Sequence, residues 1–369
     1  MNKAKHRIKN AVQKMPCTAR VFIFVGILAF FLHLVCLFSS RAADFLGASL
    51  GNAVRTVLGL LSSWLPFSLA ELLLVGLPLW ILLAILLVRR YFKRGGSPKR
   101  AVAFVLSFLP LLYALFVFML GFGYLSTPLD ERLNLLREES IDTSELFDTG
   151  VKLIDRANKE LSHITFSDTG ESVMPLSYRE MNRALKSAYS SLEKMMPFIS
   201  SYRASAKAVL LSNPMAYTGI TGVYSFFTGE SNFCTYFPDY STVYTAAHEM
   251  AHASGISRED EANFVAFLAL MESDEPYLRY AACVNLLQYT LNALYRTDKQ
   301  RHKELYLMLP QKIANEYRAY NTALDAVGNH PVRDVAESIN NAYLSGVGTE
   351  GTLSYGLVVR LAVAYFKTE

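Results

Sequence analysis

Residues 248 to 252 read HEMAH, two histidines four positions apart with a glutamate directly after the first. On an α-helix, residues four apart share a face. His248 and His252 can therefore present two ring nitrogens to one ion at about 2.0–2.1 Å. Glu249, one position on, stands beside that ion without binding it. A zinc ion so held lowers the pKa of bound water to about 7, and the neighbouring carboxylate takes the proton as the water attacks a carbonyl. Small residues flank the motif at Ala246, Ala247, Ala251, Ala253 and Ser254, and Gly255 supplies a helix stop.

A hydrolytic zinc needs a third protein ligand, with its fourth position left for water. Six residues after His252, where a metzincin would have a histidine, the chain has Arg258, whose guanidinium has no lone pair to give. The next stretch is Glu259-Asp260-Glu261-Ala262-Asn263-Phe264. Glu259 and Asn263 lie on one helix face, so one can ligate while the other orients a histidine ring or the ligating carboxylate. Glu261 is the reserve ligand, about 200° round the helix from Glu259, so only one of the two can face the ion. His302 and His330 are further ligand candidates that suit surface or capping positions better.

At these residues the chain resembles the gluzincin metallopeptidases, in which a second helix after HExxH carries a ligand Glu with an Asp or Asn four positions on. The ExxAN form followed by Phe264-Val265-Ala266-Phe267-Leu268 is most similar to the ImmA/IrrE-type members. The resemblance implies one Zn2+ bound by His248, His252 and Glu259, with Glu249 as the catalytic base and a peptide or protein as substrate. Over nearly its whole length the chain also resembles an uncharacterised bacterial membrane-protein family, known only as a domain of unknown function. That resemblance rests on three N-terminal apolar runs, Pro66 to Glu71, Phe227 to Glu230, the HExxH motif, and Glu259 to Phe264.

The elements that must carry the site begin in a bilayer. Three apolar runs, at about 21–40, 66–88 and 102–124, each reach the ~20 residues a membrane-spanning helix needs. The first exceeds the ~7–15 residues of a signal-peptide core, so it reads as an uncleaved anchor. Lys3, Lys5, Arg7, Lys9, Lys14 and Arg20 precede it with no acidic residue among them. Arg89, Arg90, Lys93, Arg94, Lys99 and Arg100 lie between the second and third runs. By the positive-inside rule both basic segments are cytoplasmic, which puts a domain of 125–369 on the outer side. His33 and Glu71, inside apolar runs, are functional candidates by default.

In the domain, Ser177 with Glu180 reads as a capping box opening a helix over 174–196. The β-branched and aromatic stretch 219–240 reads as two short strands or a hairpin. Helical periodicity follows over 242–254, 258–273, 277–296, 300–325, 331–345 and 354–367. The expected fold is mainly α (α+β): three N-terminal transmembrane helices, then a helical zincin-like domain with a small sheet. Cys234 and Cys283 permit a disulfide without requiring one. Tyr343 and Tyr355 are candidate oxyanion donors, although packing alone also accounts for them. No basic patch with interleaved aromatics argues for nucleic acid. The functional expectation is a membrane-anchored metallopeptidase of the cell membrane. The alternative is a metal-binding sensor or assembly protein of the envelope, and an intact Glu249 counts against it.

Overall fold

A computed structural model describes residues 15–135, 141–199, 204–348 and 357–368. The basic residues before position 15 and the candidate Tyr355 lie outside these. Helix α1 (Cys17–Leu37) is followed by α2 (Ser40–Ser63), then by α3 (Leu69–Val75) and α4 (Leu77–Lys93), then by α5 (Pro98–Leu125). Helices α1, α2 and α5 are each long and apolar enough to cross a membrane, and α3 with α4 passes the same test as a pair bent by 69°. The runs expected at 21–40 and 102–124 are thus α1 and α5, and the run at 66–88 is the bent pair. Helix α2 is an addition that the sequence does not advertise, because Arg41, Asp44 and Arg55 interrupt its apolar pattern.

Contacts between α1 and α5 advance together along both helices, from Gly26 against Pro110 to a 2.8 Å bond between His33 Nδ1 and the Tyr113 hydroxyl. The two helices therefore run in the same direction. Helix α2 lies along the junction beyond them. Near its start, the Asp44 carboxylate accepts from Thr127 N (3.0 Å) and Thr127 Oγ1 (2.6 Å) and pairs with Arg132. At its end, the Ser62 carbonyl accepts from Lys207 Nζ at 2.8 Å. Midway, the buried Arg55 donates to the Met119 carbonyl (3.3 Å) and the Gly47 carbonyl (2.9 Å). Both acceptors lie in π-helical turns, Gly47–Gly51 in α2 and Val117–Gly121 in α5. The guanidinium ties these two irregular turns together.

After α5 come α6 (Thr143–Glu160), the two-residue strands β1 (Thr165–Phe166) and β2 (Ser172–Val173), and α7 (Tyr178–Met195). Ser177 and Glu180 close the expected capping box on α7. A three-stranded sheet follows, in the order β3 (Lys207–Ala208), β5 (Glu230–Phe233), β4 (Gly222–Ser225). Strands β4 and β5 form the expected antiparallel hairpin, with Gly222 opposite Phe233 and Ser225 opposite Glu230. Strand β3 pairs with β5 in parallel, so β4 is an outer strand.

Helices α8 (Asp239–Ala253), α9 (Glu259–Met271) and α10 (Pro276–Thr297) form the centre of the core, against which α7 and the C-terminal α14 (Val358–Thr368) pack. Every residue of α8 from Tyr240 to Ala253 is buried. That is possible because the chain places alanine at 246, 247, 251 and 253, where larger side chains would hold neighbouring elements apart. The single helix expected over 300–325 is two, α11 (Lys299–Leu307) and α12 (Gln311–Val327), separated at Pro310. Helix α13 (Pro331–Gly346) lies between α12 and α14 in sequence and is mostly exposed. Cys234 and Cys283 are free and buried.

Two carboxylates fasten the membrane region to the sheet. Glu71 accepts from Leu210 N (3.0 Å) and Leu211 N (2.7 Å), which gives this residue a positional role. Glu230, on β5, accepts from Leu69 N (2.9 Å) and Ala70 N (2.8 Å) at the start of α3 and pairs with Lys207 Nζ at 2.6 Å. The Lys207 ammonium spends its other two donors on the Ser62 and Phe67 carbonyls. Removing Glu230 would leave a buried cation uncompensated, which costs about 3–5 kcal/mol. Glu230→Ala should therefore lower the thermal unfolding midpoint of the detergent-solubilised protein by several degrees or abolish folding. An unchanged midpoint would show that the clamp contributes nothing.

Candidate metal centre

Helix α8 carries His248, Glu249 and His252, and α9 begins at Glu259 after a tight connection. Gly255 enables that connection with a φ of +96°, a left-handed conformation that glycine adopts without penalty. A Cβ at Gly255 would stand 2.8 Å from Arg55 Nη2, so the turn also lets the α2–α5 junction approach the end of α8.

The turn brings the Glu259 carboxylate over the two histidines. His248 Nε2 lies 3.1 Å from Glu259 Oε2, His252 Nε2 lies 3.6 Å from Glu259 Oε1, and the two Nε2 atoms are 3.1 Å apart. One ligand atom from each of the three residues falls within 4.8 Å of the others, and all three residues are buried. Ligands held at 2.0–2.1 Å around a tetrahedral ion are about 3.3 Å from one another, so the spacing matches a metal of the zinc type. The imidazole tautomer matches as well. His252 Nδ1 donates to the Ile256 carbonyl at 2.8 Å, which leaves the Nε2 lone pair facing the cluster. His248 Nδ1 is buried without a partner among the described residues.

Burial and mutual attraction set the protonation of this cluster. Burial opposes a charge on His252, but the Glu259 carboxylate outweighs it and pushes the pKa up to about 9. Burial likewise opposes a charge on Glu259, yet the two histidines hold it well below the usual carboxylate range. A proton held here does what a metal cation would do, balancing a buried anion. Burial pushes Glu249 up to about 7, against the pull of both histidines, and its carboxylate also accepts from the Tyr224 backbone N–H.

Strand β4 lies directly over that carboxylate. A Cβ on Gly222 would come within 2.4 Å of Glu249 Oε1 and 2.5 Å of Thr245 Cγ2, so only glycine permits the approach. The Tyr224 ring is 6.4 Å from the His252 ring. Tyr343 lies at the same place, its hydroxyl 3.0 Å from that of Tyr124, and its own pKa is raised by burial and then by the charge of Glu259.

Two expectations need correction. Asn263 orients neither a histidine nor the Glu259 carboxylate. Its amide donates to the Glu259 backbone carbonyl (2.8 Å), and its Oδ1 accepts from the Tyr289 hydroxyl (3.3 Å), so it braces the first turn of α9. Glu261 points away from the histidines, accepting from Leu129 N and Arg258 Nη1, both at 2.9 Å, and thereby fastens the segment after α5 to α9. His302 stacks against Tyr306, and His330 caps α13, so neither belongs to the cluster. The sequence offers Gly222 to Phe237 as a strand before the helix, but not the contacts that Gly222, Tyr224 and Arg55 make around the cluster. Only the glycine-bounded GITG stretch, and an arginine inside an apolar segment, could have marked them.

Together these features define a largely helical, membrane-associated protein with a buried His-His-Glu cluster beside a fourth ionisable group. The chain belongs to the family described as Protein of unknown function (DUF3810), whose model spans residues 49–363. Neither the curated proteins nor the solved structures contain a match to it.

Exchanging each acidic residue separates ligand from brace. Glu259→Gln should cost the purified full-length protein most of its bound metal, whereas Glu261→Gln should keep nearly stoichiometric metal and lower thermal stability. Metal analysis showing the losses reversed would make Glu261 the ligand.

Proposed function

We propose that the protein is a membrane-anchored metallopeptidase that hydrolyses peptide bonds on the outer side of the cytoplasmic membrane, with His248, His252 and Glu259 holding one zinc ion. The observation that carries this reading is Glu249. It is buried beside the cluster, 5 % exposed, and takes no part in the ligand set. A sensor or assembly protein that merely stores a metal has no use for such a group.

A zinc ion held by His248, His252 and Glu259 would supply an acidified water and a Lewis acid for the substrate carbonyl. The remaining steps belong to the chain. Glu249 takes a proton from the water as its oxygen bonds to the carbonyl carbon. It returns that proton to the amide nitrogen as the C–N bond breaks, so that a carboxylic acid and an amine leave. Its raised pKa in the metal-free cluster falls when a cation stands beside it, because an adjacent positive charge favours the carboxylate. The outer edge of β4, directly over Glu249, is where an extended peptide can pair by backbone hydrogen bonds.

The contacts of α2 support the sidedness. Both its ends touch the segments that follow α5, at Asp44 and at Ser62. A helix engaged at both ends by one domain lies along that domain and does not cross the bilayer. The crossings are then α1, the bent pair α3–α4, and α5, which fits the parallel course of α1 and α5. With the basic 89–100 loop inside, the domain is outside. Protease added to intact cells should reach the region after residue 125. Protection of that region with cutting in the Arg89 to Arg100 loop would reverse the topology.

Glu249→Gln keeps the shape of the side chain and removes the base. Metal content should stay near normal, and hydrolysis of a randomised peptide mixture by full-length protein in vesicles should fall at least ~10²-fold. His248→Ala should lose metal and activity together. An active protein whose rate is indifferent to Glu249→Gln would sink the mechanism.

A further inference from the structure

The strand over Glu249 and the end of α8 lie against α5. Tyr224, whose backbone N–H meets Glu249, packs its ring in one apolar cluster with Met119, Leu120 and Tyr124 of α5 and Ala253 of α8. Just past the end of α8, the Ser257 hydroxyl donates to the Leu120 carbonyl at 2.8 Å. Two residues beyond Tyr224, in the turn that follows β4, the Phe226 ring meets Phe116 of α5 edge-on at 6.0 Å.

The depth of these contacts follows from the length of α5. A hydrocarbon core of ~30 Å takes ~20 helical residues, so counting from the charged Arg100 puts its other boundary near Leu120. Phe116 then lies inside the hydrocarbon, and Tyr224 packs at its boundary. Helix α13 makes contacts at both ends of this region. Arg333 sits beside Gly219, just before the strand. Ten residues on, Tyr343 meets Phe116 edge-on at 6.2 Å. A peptide laid along the outer edge of β4 is therefore led onto α5 at the bilayer surface.

We infer that the substrates are the membrane-proximal stretches of bilayer-anchored polypeptides, cut within about ten residues of the anchor at the ~3.3 Å per residue of an extended chain. This rests on the peptidase reading above and narrows it to one substrate class. A freely soluble peptide gains nothing from a strand edge that ends against a membrane helix. An anchored one arrives already confined to the level of Glu249.

The test uses full-length protein in phospholipid vesicles and pools of randomised peptides of about 40 residues. In separate pools the peptides are palmitoylated at the N-terminus, palmitoylated at the C-terminus, or left unmodified. Mass spectrometry reads both rate and cut position. At least one palmitoylated pool should be cut ~10-fold faster than the unmodified pool, with cuts concentrated in the ten or so residues next to the acyl chain. Equal rates, or cuts spread evenly along the anchored peptides, overturn the inference and leave the peptidase reading standing. No Glu249-dependent cleavage in any pool overturns both.

Discussion

Four ionisable side chains, His248, Glu249, His252 and Glu259, are buried at one spot, and the cost of keeping charge there governs the surrounding structure. An isolated buried carboxylate or imidazolium is strongly disfavoured. Here each charge lies within reach of an opposite one, and the spacing of the three inner groups leaves room for one cation. Everything that builds the cluster serves this proximity. The alanines of α8 let it sink into the core, Gly255 reverses the chain, and Gly222 lets a strand close over the carboxylate of Glu249, which stands outside the His-His-Glu cluster. Asn263 and Glu261, both polar and buried, hold the start of α9, the first through the Glu259 carbonyl and the second through the Leu129 N–H of the segment after α5.

The same economy extends to the junction with the membrane helices. Lys207, Glu230 and Glu71 sit where the two regions meet, each engaged mainly with backbone groups of the opposite side, while Arg55 beside them ties the backbones of α2 and α5 together. Backbone carbonyls and N–H groups at helix ends and π turns are polar atoms that a bilayer cannot satisfy. Charged side chains reaching across the boundary satisfy them, and in doing so fix the domain on its mount.

Much of this was legible in the sequence. The HExxH spacing and the glutamate seven positions after His252 suffice to assemble the cluster, because helical periodicity and one glycine determine where those side chains go. The capping box at Ser177, the hairpin at 222–233 and the helical succession after Asp239 were readable for the same reason, being local. What was not readable is what depends on contacts distant in sequence. Helix α2 hides behind three charged residues, two of which, Asp44 and Arg55, have partners at 119, 127 and 132. Strand β3 has only two residues and exists because β5 lies beside it. The partners of Asn263 and Glu261 come from α10 and from the segment after α5, so the geometry of a single helix could not choose between bracing and ligation.

The bend between α3 and α4 divides the membrane region into parts with unequal freedom to vary. Helix α3 is held from the domain at Leu69, Ala70 and Glu71, while α4 has no buried residue anywhere along its length. In α5, by contrast, the stretch from Val117 to Phe122 is buried throughout. Substitution of one apolar residue for another in α4 alters only what the lipid touches, so drift there is limited by oil solubility and length alone. In α5 the same exchange changes the seat on which Tyr224 and the end of α8 rest. Among relatives, α4 should therefore diverge freely in sequence while keeping its composition, and α5 should keep its residues.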